Sequence, residues 1–174
     1  SFIDYKDFRI LVSGYCDLLK EYMDYVLSAI DKIRWEKNPL MSLFMKDCTK
    51  SGKDVSEGGV VHNDYGILCV GLANTVDSLL NIKHFVFDSQ DVSLSELRDA
   101  ALSDFSNNEA LRKKLSNSAY FAHEDDEVLS LLRQITTVVE NVCSEYQNYL
   151  GGKVKFGLSS PVYIEEGEKT GATL

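Results

Sequence analysis

Only one stretch of this chain has the makings of a β-strand, and a strand cannot stand alone. Between Val154 and Ile164 β-branched and aromatic residues gather, with a proline at 161, whereas the other periodic stretches are helical. Backbone N–H and C=O groups along such a segment need a partner strand, and the sequence offers one weak candidate, Val60-Val61. The expected architecture is α/β, mostly helical with few strands.

Helical signals fill the rest of the chain. From Asp4 to Trp35, Phe8, Leu11, Tyr15, Leu18, Leu19, Tyr22, Val26, Ile30 and Ile33 recur at helical spacing, and Asn38-Pro39 ends the run. A shorter helix is expected over Leu40 to Lys50, stopped by Ser51-Gly52 and followed by the loop Glu57-Gly58-Gly59. Cys69, Leu72, Val76, Leu79 and Leu80 keep helical spacing to about Phe87. Ser93 with Glu96, and Ser106 with Glu109, have the spacing of reciprocal caps at two short helices. The acidic run Glu124 to Glu127 suits a helix start, and Val128, Leu131, Leu132, Ile135, Val138, Val139, Val142, Tyr146 and Tyr149 mark the buried side, with Gly151-Gly152 as terminator.

Charge narrows the partners. A formal charge of −9 repels nucleic-acid backbone and anionic membrane, so neither is expected as a partner. Cys16, Cys48, Cys69 and Cys143 form no CxxC pair, which fits reduced thiols in a cytoplasmic protein. No apolar run reaches the ~18 residues of a spanning helix, and Ser1 to Asp7 lacks the pattern of a secretion signal. The absence of an initiator Met suggests an excised piece.

Short strings that imitate chemistry carry little. Gly152-Lys153 and Lys169-Thr170-Gly171 lack the glycine spacing of a phosphate loop. His62 with Cys48 and Cys69 matches no common metal spacing, and no metal is expected. His84 and His123 are read as surface or satisfied histidines without ligand-type partners. The acidic run at 124 lacks the alternating ligands and turn glycine of a calcium loop.

The linear pattern is more specific. Pro39-Leu40-Met41-Ser42-Leu43-Phe44-Met45-Lys46-Asp47-Cys48, then Ser51-Gly52-Lys53-Asp54-Val55 and Glu57-Gly58-Gly59, resembles a block of the glycyl radical enzymes of the pyruvate formate-lyase family. Gly71-Leu72-Ala73-Asn74, Asp77-Ser78-Leu79, Ile82-Lys83 and Val86-Phe87 are similar to the next block. Gly151-Gly152, Gly157-Leu158-Ser159-Ser160 and Gly167 to Thr173 are similar to two more, in family order. The last block stops at Leu174, where the family continues Pro-Asp-Gly-Arg.

The resemblance implies an internal segment of a ten-stranded α/β barrel, with residues 1–174 as one incomplete piece of that domain. It further implies that neither the thiyl-forming cysteine nor the radical glycine lies here, so no catalytic residue is assigned. Val12-Ser13-Gly14-Tyr15 imitates the radical string, but Leu11 stands where the arginine belongs. On this resemblance the strand partners of Val154 to Ile164 are expected elsewhere in the full polypeptide. Ser159, Ser160, Tyr163, His62 and Asn63 are the expected substrate-lining candidates. No cofactor is expected on the chain itself; the whole enzyme carries a glycyl radical installed by a SAM-dependent iron-sulfur activase. The implied partners are the remainder of the polypeptide, that activase and further copies of the enzyme. The implied activity is a lyase or dehydratase reaction on a small polar substrate in an anaerobic cytoplasm. His62-Asn63-Asp64-Tyr65 stands where dehydratase-like members are more aromatic, which weakens a diol dehydratase assignment. The alternative is a stand-alone helical interaction module derived from that family.

Overall fold

The computed structural model describes residues 5–118, 120–121 and 125–159. They fall into two compact units, one drawn from Ser1–Cys16, Val70–Ile135 and Ser159–Leu174, the other from Asp17–Cys69 and Thr136–Leu158. The elements in chain order are α1 (Phe8–Leu27), α2 (Pro39–Phe44), α3 (Lys46–Ser51), β1 (Tyr65–Cys69), α4 (Leu72–Ile82), α5 (Leu94–Leu102), α6 (Glu109–Ser116), α7 (Asp126–Ser144) and β2 (Val154–Leu158). Short 3-10 turns occupy Ile30–Lys32 and Val55–Glu57, and a π-helical turn, Lys83–Asp88, extends α4.

In the first unit, the buried apolar residues are Leu11, Val12 and Cys16 of α1, Val76, Leu79 and Leu80 of α4, Leu97 and Ala100 of α5, and Val128, Leu131 and Ile135 of α7. The Ser93 hydroxyl accepts from the Glu96 amide at 3.2 Å while the Glu96 carboxylate accepts from the Ser93 amide at 2.9 Å, so α5 starts as its sequence expects. The second expected cap does not form. Positive φ at Asp104 and Phe105 closes a tight turn that holds Ser106 short of the helix, and α6 begins after Asn108. Glu109 turns along α6 to chelate the Arg112 guanidinium at 2.8 Å through both oxygens. The acidic start of α7 holds, with the Asp125 carboxylate accepting from the Glu127 amide at 2.8 Å.

The second unit is built on a parallel strand pair. Its core comprises Met23, Leu27, Ile30, Val139, Val142, Cys143 and Val154, with Leu19, Tyr65, Ile67, Cys69, Tyr146 and Phe156 packed against it. Burying a side chain such as Leu27 contributes about 1.5–3 kcal/mol. The strands pair in register, Tyr65 with Val154 through Cys69 with Leu158. A parallel pair needs a long crossover, and the stretch carrying α4 to α7 supplies it.

Several expectations are corrected. The partner of β2 lies within this chain, and it is Tyr65–Cys69, not Val60-Val61; Val61 is exposed in a bend. Cys69 ends that strand, and α4 starts at Leu72 after Gly71, whose φ of 80° makes the turn. Of the extended stretch Val154 to Ile164, the described strand covers Val154–Leu158. The first long helix is α1 alone, and Leu18, Tyr22 and Val26, expected on its buried side, are exposed. Two apolar stripes of period four run along α1, and the one through Cys16, Met23 and Leu27 is the one that is buried.

The helix expected from Leu40 to Lys50 is broken at Met45, which is extended (φ −94°, ψ 113°), into α2 and α3. Asn38 caps α2 by accepting from the Met41 amide at 3.0 Å, and Gly52 (φ 68°) closes α3 as expected. Helix α7 ends at Ser144, ahead of Gly151-Gly152, because the Glu145 and Tyr146 amides turn back to Val142 and Cys143 and the chain enters a side-chain-locked turn.

Candidate functional site

A cluster of polar side chains hydrogen-bonded to backbone lies at the start of the strand pair. Asn148, only 4% exposed, accepts through its side-chain oxygen from the Leu150 and Gly152 amides at 2.9 Å each, and its side-chain amide donates to the Asn63 carbonyl. One carboxamide thus closes the 148–152 turn and clasps the segment entering β1. A Cβ at Gly152 would run into the Asn63 carbonyl, so no larger residue fits there without moving backbone. Asp64 adds a second clasp, accepting from the Lys153 amide at 3.0 Å and pairing with the Lys155 ammonium. The Lys155 ammonium, then the Lys153 amide, holds the Asp64 carboxyl below its ordinary range.

Asp54 organises the glycine-rich loop. Its carboxylate accepts from the Ser56 amide (3.0 Å) and hydroxyl (2.8 Å), the Ser42 hydroxyl (2.8 Å) and the Asn38 amide (3.1 and 3.2 Å). Donors aimed at the anion, the Ser56 amide foremost, hold this carboxyl far below the ordinary carboxylate range. Gly59 seats the loop on α3, since a Cβ there would lie 2.7 Å from the Cys48 sulfur. The glycine-rich block thus makes a rigid turn leading into β1, and Cys48 is a buried packing residue.

The strand pair has two different faces. Tyr65, Ile67, Cys69, Val154 and Phe156 alternate onto the core. Burial raises the Cys69 thiol above its ordinary value, which disfavours thiolate. On the other face stand Gly66, Leu68, Lys155 and Gly157, with Leu68 at 68% exposure.

The expected lining residues do not converge. His62 and Asn63 precede β1; His62 is exposed, and the half-buried Asn63 donates its side-chain amide to the Val60 carbonyl at 2.9 Å. Ser159, half-buried, follows Leu158 at the opposite end of the pair. Five strand residues, about 16 Å, separate the two ends. Ser160 and Tyr163 lie outside the described residues, as does His123.

His84 differs from its expectation. Its Nδ1 lies 3.3 Å from Asp88 and its Nε2 3.2 Å from Glu127, with the ring stacked on Tyr120 at 5.2 Å. Lys83 reaches the same two carboxylates at 2.8 Å each. Sequence spacing hides this cluster because Glu127 is brought to it by tertiary folding. Among the described residues no three His, Cys, Asp or Glu side chains gather where a metal ion would sit, and no helix is long and apolar enough to cross a membrane. The residues that order the strand pair, Asn148 and Asp54, escaped the sequence reading; their one signal is an Asn or Asp beside glycine turns.

Comparison with known proteins gives this geometry a context. The family described as "Pyruvate formate lyase-like" matches residues 3–163. Trans-4-hydroxy-L-proline dehydratase of Clostridioides difficile is 31% identical over 78% of this chain and 17% of its own length. (2S)-3-sulfopropanediol dehydratase of Klebsiella oxytoca is 30% identical over 70% of this chain and 16% of its own. Among solved structures, the glycerol-bound B12-independent glycerol dehydratase of Clostridium butyricum superposes with a TM-score of 0.71 at 28% identity, over 88% of this chain and 20% of that one. The chain thus spans about a sixth of the length of these curated relatives.

Proposed function

The chain belongs to the pyruvate formate lyase-like family, and from that premise we propose that residues 1–174 are a continuous part of the barrel wall of a glycyl radical dehydratase or lyase. The substrate proposed is a small polar molecule carrying a hydroxyl group, because glycerol, sulfopropanediol and hydroxyproline, named for the relatives, share one. The observation that carries the reading is the parallel strand pair, covered by α1 and α7 on one face and open on the other, in a segment whose fold matches a glycerol dehydratase at a TM-score of 0.71.

The radical, when installed, supplies hydrogen abstraction from a substrate C–H bond. What this segment contributes is a stiff, dry wall: the Asn148 and Asp54 clasps fix the strand starts, and the apolar core keeps water from the outer face of the sheet. Ser159, Ser160 and Tyr163 are the set proposed to orient substrate, since they follow one strand end with hydroxyls in sequence proximity. His62 and Asn63 sit at the other end and are not carried into that set. The activity so proposed requires the rest of the enzyme polypeptide, a SAM-dependent iron-sulfur activase, an anaerobic cytoplasm and a homo-oligomeric enzyme.

The test is the full-length polypeptide carrying this segment, treated anaerobically with an activase, S-adenosylmethionine and a reductant. A glycyl radical signal in electron paramagnetic resonance, with dehydration of glycerol, sulfopropanediol or hydroxyproline, is expected. No radical after activation, or dehydration by the 174-residue chain alone, would sink the proposal.

A further inference from the structure

The connection between the two strands does not set how they align. A hairpin fixes register through its turn, but β1 and β2 are parallel and joined by the long stretch that carries α4 to α7. The apolar pattern decides only half of the question. A slip of one residue would turn one strand's apolar set away from the core. A slip of two keeps every side chain on its own face, with Tyr65 opposite Phe156 and Gly66 opposite Gly157. Something outside the strand pattern therefore holds Tyr65 against Val154.

The groups that do so gather where the strands begin. Asn148 uses both ends of its buried carboxamide. The oxygen accepts from the Leu150 and Gly152 amides and shapes the turn into β2, while the nitrogen donates to the Asn63 carbonyl, two residues ahead of β1. The Asn148 backbone amide donates to the Gly152 carbonyl at 2.9 Å, so the turn is closed from two sides. Gly152 supplies the room, because a Cβ there would overlap the Asn63 carbonyl and crowd the Asn148 Nδ2. The other link across this end, Asp64 with Lys155, has its ammonium partner 64% exposed, so water competes with it. A two-residue slip would instead strip the Asn148 nitrogen of its acceptor in a place nearly closed to water, which is a costly state.

We propose that Asn148 is a positioning residue that fixes the register of β1 against β2, and with it the point at which Leu158 ends β2 and the Ser159 hydroxyl follows. This rests on the barrel-wall reading, in which the residues after Leu158 orient substrate. A two-residue slip would displace that strand end by about 7 Å along β1, more than twice the span of a hydrogen bond.

Two cysteine pairs in the full-length polypeptide read the register. Leu68→Cys with Gly157→Cys are opposite each other in the observed register, whereas Gly66→Cys with Gly157→Cys are opposite only after the slip. Diagonal neighbours stand roughly 7–8 Å apart, beyond the reach of a disulfide. Oxidised glutathione takes up the two thiol hydrogens, and peptide masses identify the link. With Asn148 intact, the first pair links and the second does not. Asn148→Asp, whose carboxylate still accepts from the Leu150 and Gly152 amides but cannot donate to Asn63, shifts linking toward the second pair several-fold, and Asn148→Ala shifts it further. In otherwise unaltered enzyme both variants lower kcat/KM at least ~10-fold, at an undiminished radical signal, for whichever of glycerol, sulfopropanediol and hydroxyproline the parent dehydrates.

Linking identical to the parent in both Asn148 variants would overturn the proposal, as would linking of the second pair with Asn148 intact. A lowered unfolding midpoint with unchanged links and unchanged kcat/KM would make Asn148 a packing residue only. Should Asn148→Ala fail to fold, Asn148→Asp decides. Failure of the radical reading is seen separately, as a parent enzyme without the resonance signal in which the links still shift.

Discussion

On one side of the β1–β2 pair Tyr65, Ile67 and Val154 pack with Leu27, Ile30, Val139 and Val142, while on the other Leu68 stands 68% exposed between two glycines. The first face packs on the core; on the second, Lys155 pairs with Asp64 while Leu68 stays exposed. The difference separates a face packed by the chain's own helices from one that stays exposed at Leu68 among the described residues.

Substitutions that touch the finished face sharpen the contrast most. Leu27→Ala, at a residue 1% exposed, is expected to lower the unfolding free energy of the chain by about 2–5 kcal/mol in a urea titration. Gly152→Ala, which drives a methyl into the Asn63 carbonyl, is expected to cost about 1–3 kcal/mol, and a cost near zero would show that the clasp yields.

A smaller effect, confined to acid, is expected at Asp54. Its folded carboxyl titrates below the unfolded value of about 3.9, so its contribution is complete above that pH and is lost as pH falls through the folded value. Asp54→Asn should therefore differ most from the parent near neutrality and converge with it in acid. Parallel stability curves across that range would remove Asp54 from its role. Smallest of all, Leu68→Ala in the 174-residue chain is expected to change stability by no more than about 0.5 kcal/mol. A cost like that of Leu27→Ala would abolish the contrast between the faces.

How much of this was legible depended on range. The Ser93–Glu96 cap, the Gly52 helix boundary and the Val128-to-Val142 stripe are local, and the structure keeps them, whereas the helix expected to run to Asn38-Pro39 ends at Leu27 and Asn38 caps α2 instead. Tyr65–Cys69 was missed because Ile67, Leu68 and Cys69 form a short apolar run that merges with the spacing of α4, and such runs are ambiguous between strand and helix. The stripe of α1 was misjudged because two stripes share its period, and only tertiary packing chooses between them. His84 gains Glu127, and Asn63 gains Asn148, across separations that no local pattern encodes. The family resemblance was legible because its blocks keep order and spacing through nearly the whole chain, and the family match over residues 3–163 agrees with it. The His62-to-Tyr65 string weakens a diol dehydratase assignment in particular, while the curated relatives named above bear out the broader dehydratase resemblance. The lining candidates follow from the family resemblance, and no local pattern in the sequence encodes that His62 and Ser159 flank opposite ends of a parallel pair.

The most direct measurement is the modification rate of a single thiol, Leu68→Cys, by a maleimide, followed peptide by peptide in the 174-residue chain and in the full-length polypeptide. Fast labelling in the short chain with at least ~10-fold protection in the full-length protein is the expected result. Equal rates in the two would mean that this face looks outward to solvent, and that the segment is not the inner wall of a barrel.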